Sequence, residues 1–421
     1  MASASPWRVP AFRRLYAATA ADQIGIQVGH LALPLVALGL GASPGQIGLL
    51  AALGTSAYLL IGLPSGVWVD RLGCVPVLVS AALARVVLLT AVPLAWWFGA
   101  LTLPHLYAAV LLTGCATVFF DVASHSCLPA VVGREALVRA NAGVVSLYAV
   151  GSVAGRGVGG LLVEVLTAPV AVAAQAVSHL AAAISLTGIR GGARGRTRPA
   201  PKASRRLAAE MRDGLRHVLG SCELRPLAVG AALANLGAQT VNTMVPVLFV
   251  RQLGLPAWLL GVYWVLCGTA TFVGARLARP LAARRGCGWT LATAGLCVAP
   301  AALLVPLLSR PPLWCLAGAA GMALVSVKIG VDNVLGLSLR QGLTPDALLG
   351  RMNATFRFLL MGSVALGSAL SGVIGEFAGV RAALWTGAVI LVVAALPLYF
   401  SPVRTRRHLP GAPVPEPDPV G

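Results

Sequence analysis

Ionisable side chains inside long apolar stretches are the residues of this 421-residue chain with the capacity for chemistry. They are Asp22, Arg85, Asp121, Arg156, Lys328, Asp332 and Arg357. Each charge at the centre of a membrane helix costs about 2.5 to 3.5 kcal/mol, so each needs a reason to be there. A carboxylate in a low-dielectric cavity favours its protonated form, and it can bind and release a proton when its hydration changes. We therefore predict Asp22 and Asp121 as candidates for proton coupling. Pairing with an arginine, Arg85 or Arg156, would instead favour their charged form and make them structural.

Polar side chains in the same stretches are candidates for lining a substrate cavity. These candidates are Gln23, Gln27, Arg85, Asn235, Gln239, Asn242, Lys328 and Asp332. The amides can hydrogen-bond a polar substrate, and they can equally bond one helix to another. Lys328 and Asp332 are four residues apart and share one helical face, so they can simply neutralise each other. Trp264 and other tryptophans near the ends of the stretches are mostly expected to anchor the protein at the membrane surface.

The apolar stretches themselves predict membrane-spanning helices. Hydrophobic residues make up 57% of the chain and charged residues 11%, whereas soluble proteins carry about a quarter charged residues. Twelve stretches are long enough to cross about 30 Å of hydrocarbon. They lie near residues 15 to 40, 46 to 69, 75 to 98, 102 to 125, 140 to 163, 167 to 189, 226 to 250, 256 to 278, 287 to 308, 312 to 338, 348 to 374 and 381 to 401. The predicted fold class is therefore all-α integral membrane, with twelve transmembrane helices.

An internal repeat divides these stretches into two sets of six. Arg139-Ala-Asn141-Ala142 recurs in the second half of the chain as Arg351-Met-Asn353-Ala354. Further pairs at the same offset are Gly155 with Gly367, Gly160 with Gly372, and Glu164 with Glu376. The repeat predicts that the chain consists of two similar halves with six helices each. Their predicted bounds are residues 1–189 and 226–402, with a cytoplasmic linker at 190–225 and a disordered cytoplasmic tail at 403–421.

The two halves differ in where they carry charge. At the offset of the repeat, or at one position more, Asp22 corresponds to Asn235, Asp121 to Asn333 and Arg156 to Ser368. Positions that agree between the halves are explained by a shared scaffold, whereas positions that differ are better candidates for function. We therefore predict that proton coupling resides in the first half.

The net charge of +19 is explained by membrane orientation. Most of the 32 lysines and arginines lie in the termini or in the even-numbered connections, and only Arg251, Arg310 and Arg381 lie in odd-numbered ones. This positive-inside asymmetry predicts a multi-pass protein of the cell membrane with both termini in the cytoplasm. The basic residues can also attract anionic membrane lipid. No nucleic-acid partner is expected.

A short connection between the second and third stretches carries a recognisable loop motif. It reads Gly66-Val-Trp-Val-Asp70-Arg71-Leu-Gly73. The pattern resembles G-x-x-x-D-R-x-G, the loop signature of the major facilitator superfamily. That resemblance implies two pseudo-symmetric six-helix bundles that rock about a midplane cavity. It also implies that Gly66, Asp70, Arg71 and Gly73 form a conformational latch on the cytoplasmic side. The basic residues that usually follow the last glycine are replaced here by Cys74 and Val75, which implies a weaker latch.

The fifth stretch contains a second motif, Gly151-Ser-Val-Ala-Gly155-Arg156-Gly157-Val-Gly159-Gly160. Small residues at every fourth position let a neighbouring helix pack closely. The motif resembles g-x-x-x-G-P-x-x-G-G, the fifth-helix motif of drug and metabolite antiporters of the same superfamily. Arg156 takes the position of the proline, which puts the bend in doubt and places a positive charge within an apolar helix.

The segment from Phe119 to Pro129, followed by Arg139-Ala-Asn141-Ala142, resembles one efflux subgroup of this superfamily. The subgroup includes enterobactin-type siderophore exporters and macrolide efflux proteins, and the resemblance covers nearly the whole chain. It implies a secondary active transporter that exports a small, partly apolar compound such as a drug, an antibiotic or a siderophore in exchange for protons. It does not specify the substrate.

Two other functions remain open at this point. A facilitator or importer of a nutrient would carry a dense set of polar residues across both bundles, and this chain is poor in them. A non-transporting membrane receptor would not need buried carboxylates such as Asp22 and Asp121. An enzyme is not expected, since no nucleophile with its base and no phosphate loop is present. No cofactor or metal is expected, and we predict a monomer.

Overall fold

The structure is a computed structural model that describes residues 5–189, 203–309, 312–345 and 348–407. Its helices form two compact units. The first unit comprises Met1–Ala203, Leu236–Gly268 and Met361–Gly387, and the second comprises Ser204–Asn235, Thr269–Leu360 and Ala388–Gly421. Most of the predicted disordered tail and the first part of the predicted linker lie outside the described residues. The predicted bounds of the two bundles stay a prediction.

Twelve helices in the described part of the chain are long and apolar enough to cross a membrane. We number them as spans one to twelve: Pro10–Gly39, Pro44–Leu72, Cys74–Trp97, Leu103–Gly133, Arg139–Leu166, Ala168–Thr187, Leu224–Gln252, Ala257–Arg285, Cys287–Leu307, Leu313–Gly342, Leu349–Phe377 and Val380–Tyr399. Each coincides with one predicted stretch, with ends that differ by up to eight residues. The predicted all-α membrane fold is therefore confirmed. Both copies of the Arg-x-Asn-Ala motif lie in the first turns of a helix, in spans five and eleven.

Single glycines connect spans two and three, and spans eight and nine. Gly73 follows span two with a φ of +87°, and Gly286 follows span eight with a φ of +91°. Side chains with a Cβ disfavour this left-handed region by about 1 to 2 kcal/mol, so glycine is the residue that suits both turns. The internal repeat relates the two glycines to each other, so the repeat extends to the backbone conformation.

Spans one, three, four and six build the apolar core of the first unit. This core includes Phe12, Leu15, Leu78, Phe120, Cys127, Ala182 and Leu186. Gly133, with a φ of +72°, interrupts the helical conformation between spans four and five. Polar residues on these four spans are therefore held among close-packed apolar side chains, where they need partners within the protein.

The second unit has its own core, to which the predicted linker contributes. Its buried side chains include Leu224, Leu291, Leu335, Met352 and Phe356, and Val218 joins them from the linker helix Ala203–Gly220. Asp213 on this helix lies 3.6 Å from Arg351 at the start of span eleven, and both side chains are exposed. The helix Ala203–Gly220 of the predicted linker therefore packs in the second unit.

Candidate functional site

A buried ion pair joins spans one and three inside the first unit. Arg85 Nη1 lies 2.6 Å from Asp22 Oδ1, and the two side chains are 0% and 1% exposed. The guanidinium carbon also lies 4.5 Å from the centroid of the Phe120 ring on span four. Because an aromatic face attracts a cation, Phe120 adds to the stabilisation of Arg85.

His179 on span six completes this cluster. Its Nδ1 lies 3.0 Å from the same Asp22 oxygen, and its side chain is fully buried. The neutral tautomer with its proton on Nδ1 donates a hydrogen bond to the carboxylate. Sequence reasoning missed His179 because a single histidine in an apolar stretch shows no ligand spacing. Its only signal was an ionisable ring within a predicted span.

The cluster favours a structural role for Asp22. Protonation of its carboxylate would leave Arg85 buried without a counter-charge, and removing one partner of a buried ion pair costs about 3 to 5 kcal/mol. Sequence alone had left two roles for Asp22, proton coupling and pairing with an arginine. Its contact with Arg85 favours the second.

Asp121 on span four has a different environment. The Tyr58 hydroxyl on span two donates a hydrogen bond to Asp121 Oδ2, and the aspartate is half-buried. A phenol can both donate and accept, so it can remain bonded to a carboxylate or to a carboxylic acid. Proton uptake at Asp121 is therefore compatible with this contact. Tyr58 had no signal in the sequence beyond its position in an apolar stretch.

The glycines of the span-five motif face two neighbouring helices. Those that pack on span one are Gly151, Gly155 and Gly159. A Cβ on Gly155 would lie 2.7 Å from the Gln27 Cβ. Gly160 faces span eight instead, where a Cβ would lie 2.8 Å from the Gly261 Cα. The motif thus lets span five approach one helix of each half of the chain.

Arg156 lies between those two faces. Its Nε donates a hydrogen bond of 2.9 Å to Gln27 Oε1 on span one. Its guanidinium carbon lies 5.0 Å from the centroid of the Trp264 ring on span eight. Tryptophans of these stretches were mostly expected at the membrane surface, but Trp264 contacts a charge on a neighbouring helix. At the motif position where antiporters carry proline, this chain therefore holds a cation between the Gln27 amide and the Trp264 ring.

The second half repeats this contact without the charge. Gln239 Nε2 on span seven donates a hydrogen bond of 3.1 Å to Ser368 Oγ on span eleven. The internal repeat relates Gln239 to Gln27 and Ser368 to Arg156. In each half the two hydrogen-bonded residues are 129 positions apart in the chain. The paired contact is therefore common to the two halves, whereas the cation belongs to the first.

Two glutamates bond to helix ends of the opposite half. Glu164 Oε2, at the end of span five, accepts a hydrogen bond of 2.9 Å from the Ala257 amide at the start of span eight. Glu376 Oε2, at the end of span eleven, accepts one of 2.8 Å from the Gly45 amide at the start of span two. A carboxylate at a helix N-terminus satisfies a free amide and interacts favourably with the helix dipole. The repeat relates Glu164 to Glu376, so the two contacts are equivalent.

The backbones approach closely beside these two bonds. A Cβ on Gly160 would lie 2.8 Å from Gly261 Cα, and a Cβ on Gly372 would lie 2.9 Å from Gly48 Cα. There is no room for a methyl group at either crossing without a backbone shift. These ends of spans two, five, eight and eleven adjoin odd-numbered connections, which the distribution of basic residues predicts to face outward.

Three amides of the predicted cavity have no contact that distinguishes substrate binding from helix packing. Gln23 is buried on span one next to Gly151 of span five. Asn235 Nδ2 donates a hydrogen bond of 2.9 Å to the Ala231 carbonyl of its own helix. Asn242 Oδ1 is buried without a hydrogen-bond partner among the described residues.

Lys328 and Asp332 on span ten are bonded to each other in the second unit. Lys328 Nζ donates to Asp332 Oδ2, and the side chains are 17% and 30% exposed. Gly295 on span nine leaves room for the lysine, because a Cβ there would lie 2.5 Å from Lys328 Cε. The mutual neutralisation that their spacing permits is therefore present.

The predicted latch residues lie at the end of span two. Gly73 has the positive φ already described, whereas a Cβ on Gly66 would meet no atom within 4 Å among the described residues. Asp70 and Arg71 are both exposed. The structure thus gives a conformational reason for Gly73, and the latch itself stays a prediction.

Comparison with known proteins decides the family. The chain matches the family model of the Major Facilitator Superfamily over residues 15–339. It belongs to the Major Facilitator Superfamily. The resemblance seen in the loop motif is confirmed, and membership places this chain among transporters rather than enzymes, as predicted.

Individual members of the superfamily are similar to nearly the whole chain. It is 27% identical over 417 residues to the enterobactin exporter EntS of Escherichia coli, covering 92% of this chain and 91% of that protein. It is 26% identical over 377 residues to an uncharacterised MFS-type transporter, y4rN, of Sinorhizobium fredii, covering 87% and 89%. The similarity to these two transporters therefore covers nearly the whole chain rather than only the short motifs.

Solved structures of superfamily members share the fold at low sequence identity. A bacterial homolog of the human lysosomal transporter Spinster, in an inward-facing and unoccupied conformation, has a TM-score of 0.75 at 16% identity, covering 98% of this chain and all of that chain. The nucleoside transporter NupG has a TM-score of 0.74 at 10% identity, covering 92% and 98%. These similarities establish the fold and leave substrate and direction to other arguments.

Proposed function

We propose that this chain is a proton-coupled exporter of a small, partly apolar compound, such as an antibiotic or a siderophore. The direction of transport is supported by the similarity to an enterobactin exporter over nearly the full length of both chains. In this proposal the protein acts as a monomer in the cell membrane with both termini in the cytoplasm. It uses alternating access and needs no cofactor.

The contact between Tyr58 and Asp121 is the observation that carries proton coupling. A coupling carboxylate must exist in both protonation states during the cycle without destabilising the protein. Tyr58 can bond to either state, and the half-buried position of Asp121 lets its hydration change when helices move. Asp22 is less suited to this role, because its protonation would strand the buried charge of Arg85.

The equivalent contacts of Glu164 and Glu376 support alternating access. Each bond joins the end of a helix in one half to the start of a helix in the other half. Such bonds are reversible, because water can replace the carboxylate at an exposed helix N-terminus at little cost. We propose that these contacts and the glycine crossings beside them close the outer side of the transport path and separate when it opens.

Proteoliposomes with an imposed pH gradient test this function. A panel of antibiotics and siderophores is screened for gradient-driven uptake, and a pH-sensitive dye reports the proton movement that accompanies it. We expect at least one compound to accumulate in the parent protein only while the gradient is present. Asp121→Asn, which copies the corresponding Asn333, is expected to lose driven accumulation but to keep exchange of labelled for unlabelled compound.

Two controls make the outcome specific. Asp213→Asn makes the same chemical change at an exposed position on the linker helix and is expected to transport like the parent. Tyr58→Phe removes only the hydroxyl and is expected to lower driven flux less than Asp121→Asn does. Flux that is equal with and without the gradient would favour a facilitator. Driven accumulation that survives in Asp121→Asn would exclude Asp121 as the coupling residue.

A further inference from the structure

We propose that Arg156, Gln27 and Trp264 form a subsite for an anionic group of the substrate. This inference rests on the proposed function and narrows it to compounds that carry a negative charge next to an aromatic or apolar portion. The subsite lies near the middle of spans one and five and includes one residue of span eight. It thus draws on both halves of the chain.

The charge of Arg156 is not neutralised within the described part of the chain. Its guanidinium donates a hydrogen bond of 2.9 Å to the side-chain oxygen Oε1 of Gln27 and lies 5.0 Å from the centroid of the Trp264 ring. Neither group carries a full negative charge, so together they only partly replace the water that a guanidinium loses in a membrane. Two other cations within the spans differ in this respect, since Arg85 contacts Asp22 and Lys328 contacts Asp332.

The internal repeat indicates that helix packing does not require the cation. At the corresponding position of the second half, Ser368 accepts a hydrogen bond from Gln239, so the two helices are also bonded there, with donor and acceptor exchanged. The glycines that surround both positions are also repeated, as Gly155 with Gly367 and Gly160 with Gly372. A serine therefore suffices for the scaffold, so the arginine needs another reason for the insertion cost of its charge.

The geometry suits an aromatic or apolar anion. A planar guanidinium has five donors and binds carboxylates in a bidentate manner, and in Arg156 only Nε is used by Gln27. The terminal nitrogens remain for a carboxylate, a sulfonate or an ionised phenol. The Trp264 ring beside them offers an apolar surface for the rest of the ligand.

Equilibrium binding to the purified full chain in nanodiscs tests the subsite without any gradient. The probes are 2-naphthoate and its neutral isostere 2-naphthamide, with nanodiscs of phosphatidylcholine. A charge-assisted bidentate contact predicts that the parent binds 2-naphthoate about tenfold more tightly than 2-naphthamide. Arg156→Ser, which copies the second half, should reduce this preference to less than about twofold, while Arg156→Lys should keep part of it.

Arg276→Ser is the matched control, because Arg276 is an exposed cation that lies 5.9 Å from the Phe272 ring on its own helix. It should keep the full preference for 2-naphthoate. Thermal unfolding and gel filtration of Arg156→Ser are measured to check that the variant is folded. An unchanged preference in folded Arg156→Ser, or no preference in the parent, would overturn the subsite. Competition by added phosphatidylglycerol would identify the anion as a lipid headgroup and overturn the substrate assignment.

The result is separable from the test of proton coupling. Loss of anion preference with intact gradient-driven flux would overturn the subsite alone. Anion preference that depends on Arg156, with no driven flux of any compound, would overturn the exporter alone.

Discussion

Removal of the Asp22 carboxylate tests the buried cluster most directly. In Asp22→Asn the side chain keeps its size, but Arg85 loses its counter-charge at a position that is 0% exposed. Removing one partner of a buried ion pair costs about 3 to 5 kcal/mol. The Phe120 ring still faces the guanidinium, and a desolvated cation–π contact contributes about 2 kcal/mol, but the parent has that contact too. We therefore expect the free energy of unfolding to fall by about 3 kcal/mol or more.

Replacing both charges should reverse most of this loss. In the double variant Asp22→Asn, Arg85→Met no charge is left unpaired, and the flexible methionine fills much of the volume of the arginine. Replacing a buried pair by apolar groups of similar volume is often neutral, so we expect stability within about 1 kcal/mol of the parent. His179 loses its carboxylate partner in both variants, so its contribution cancels when the two are compared.

The assay is unfolding of the purified protein in mixed micelles with increasing sodium dodecyl sulfate, followed by circular dichroism. All four members of the double-mutant cycle are measured, because the coupling energy separates the ion pair from the effect of each single change. The reasoning would be refuted by an Asp22→Asn variant as stable as the parent. It would also be refuted by a double variant no more stable than Asp22→Asn.

Two further predictions concern the helix ends and the turns. Glu164→Ala and Glu376→Ala each remove a helix cap worth about 1 kcal/mol, so the contacts between these outer helix ends should open about fivefold more often. The rate at which a cysteine introduced between those ends is alkylated measures the opening. An unchanged alkylation rate would contradict the prediction. Gly73→Ala and Gly286→Ala should each lower the free energy of unfolding by about 1 to 2 kcal/mol, because both glycines have a positive φ. Gly66→Ala, whose Cβ meets no atom within 4 Å among the described residues, should be neutral or slightly stabilising, and equal losses in all three alanine variants would exclude backbone strain as the cause.

The periodic and repeated features of this protein could be predicted from the sequence because they are local. A membrane helix needs a run of apolar residues of fixed length, so all twelve spans were visible as hydropathy alone. The glycine spacing of span five indicated a close helix crossing, and the constant offset of the repeat related Gly155 and Glu164 to Gly367 and Glu376. Each of these signals is contained in a short segment or in a comparison of two segments.

The partners of the ionisable residues could not be predicted, because they depend on which helix faces which. Asp22 contacts Arg85 and also His179, which is 157 residues away. Arg156 contacts Gln27 at a separation of 129 residues and Trp264 in the other half of the chain. A rotation of any of these helices by one residue, about 100°, would change every such pair while leaving the sequence pattern intact.

The sequence by itself therefore determined the membrane fold, its duplication and the family, because these follow from composition, periodicity and motif. Only the tertiary structure decided which atoms surround each buried charge. It paired Asp22 with Arg85, a buried cation that needs a counter-charge. It placed Asp121 next to the Tyr58 hydroxyl, which can hydrogen-bond to the carboxylate or to the carboxylic acid. It left Arg156 between an amide and an aromatic ring. In an apolar medium the energy of a charge is set by the few atoms around it, and those atoms come from helices distant in the chain.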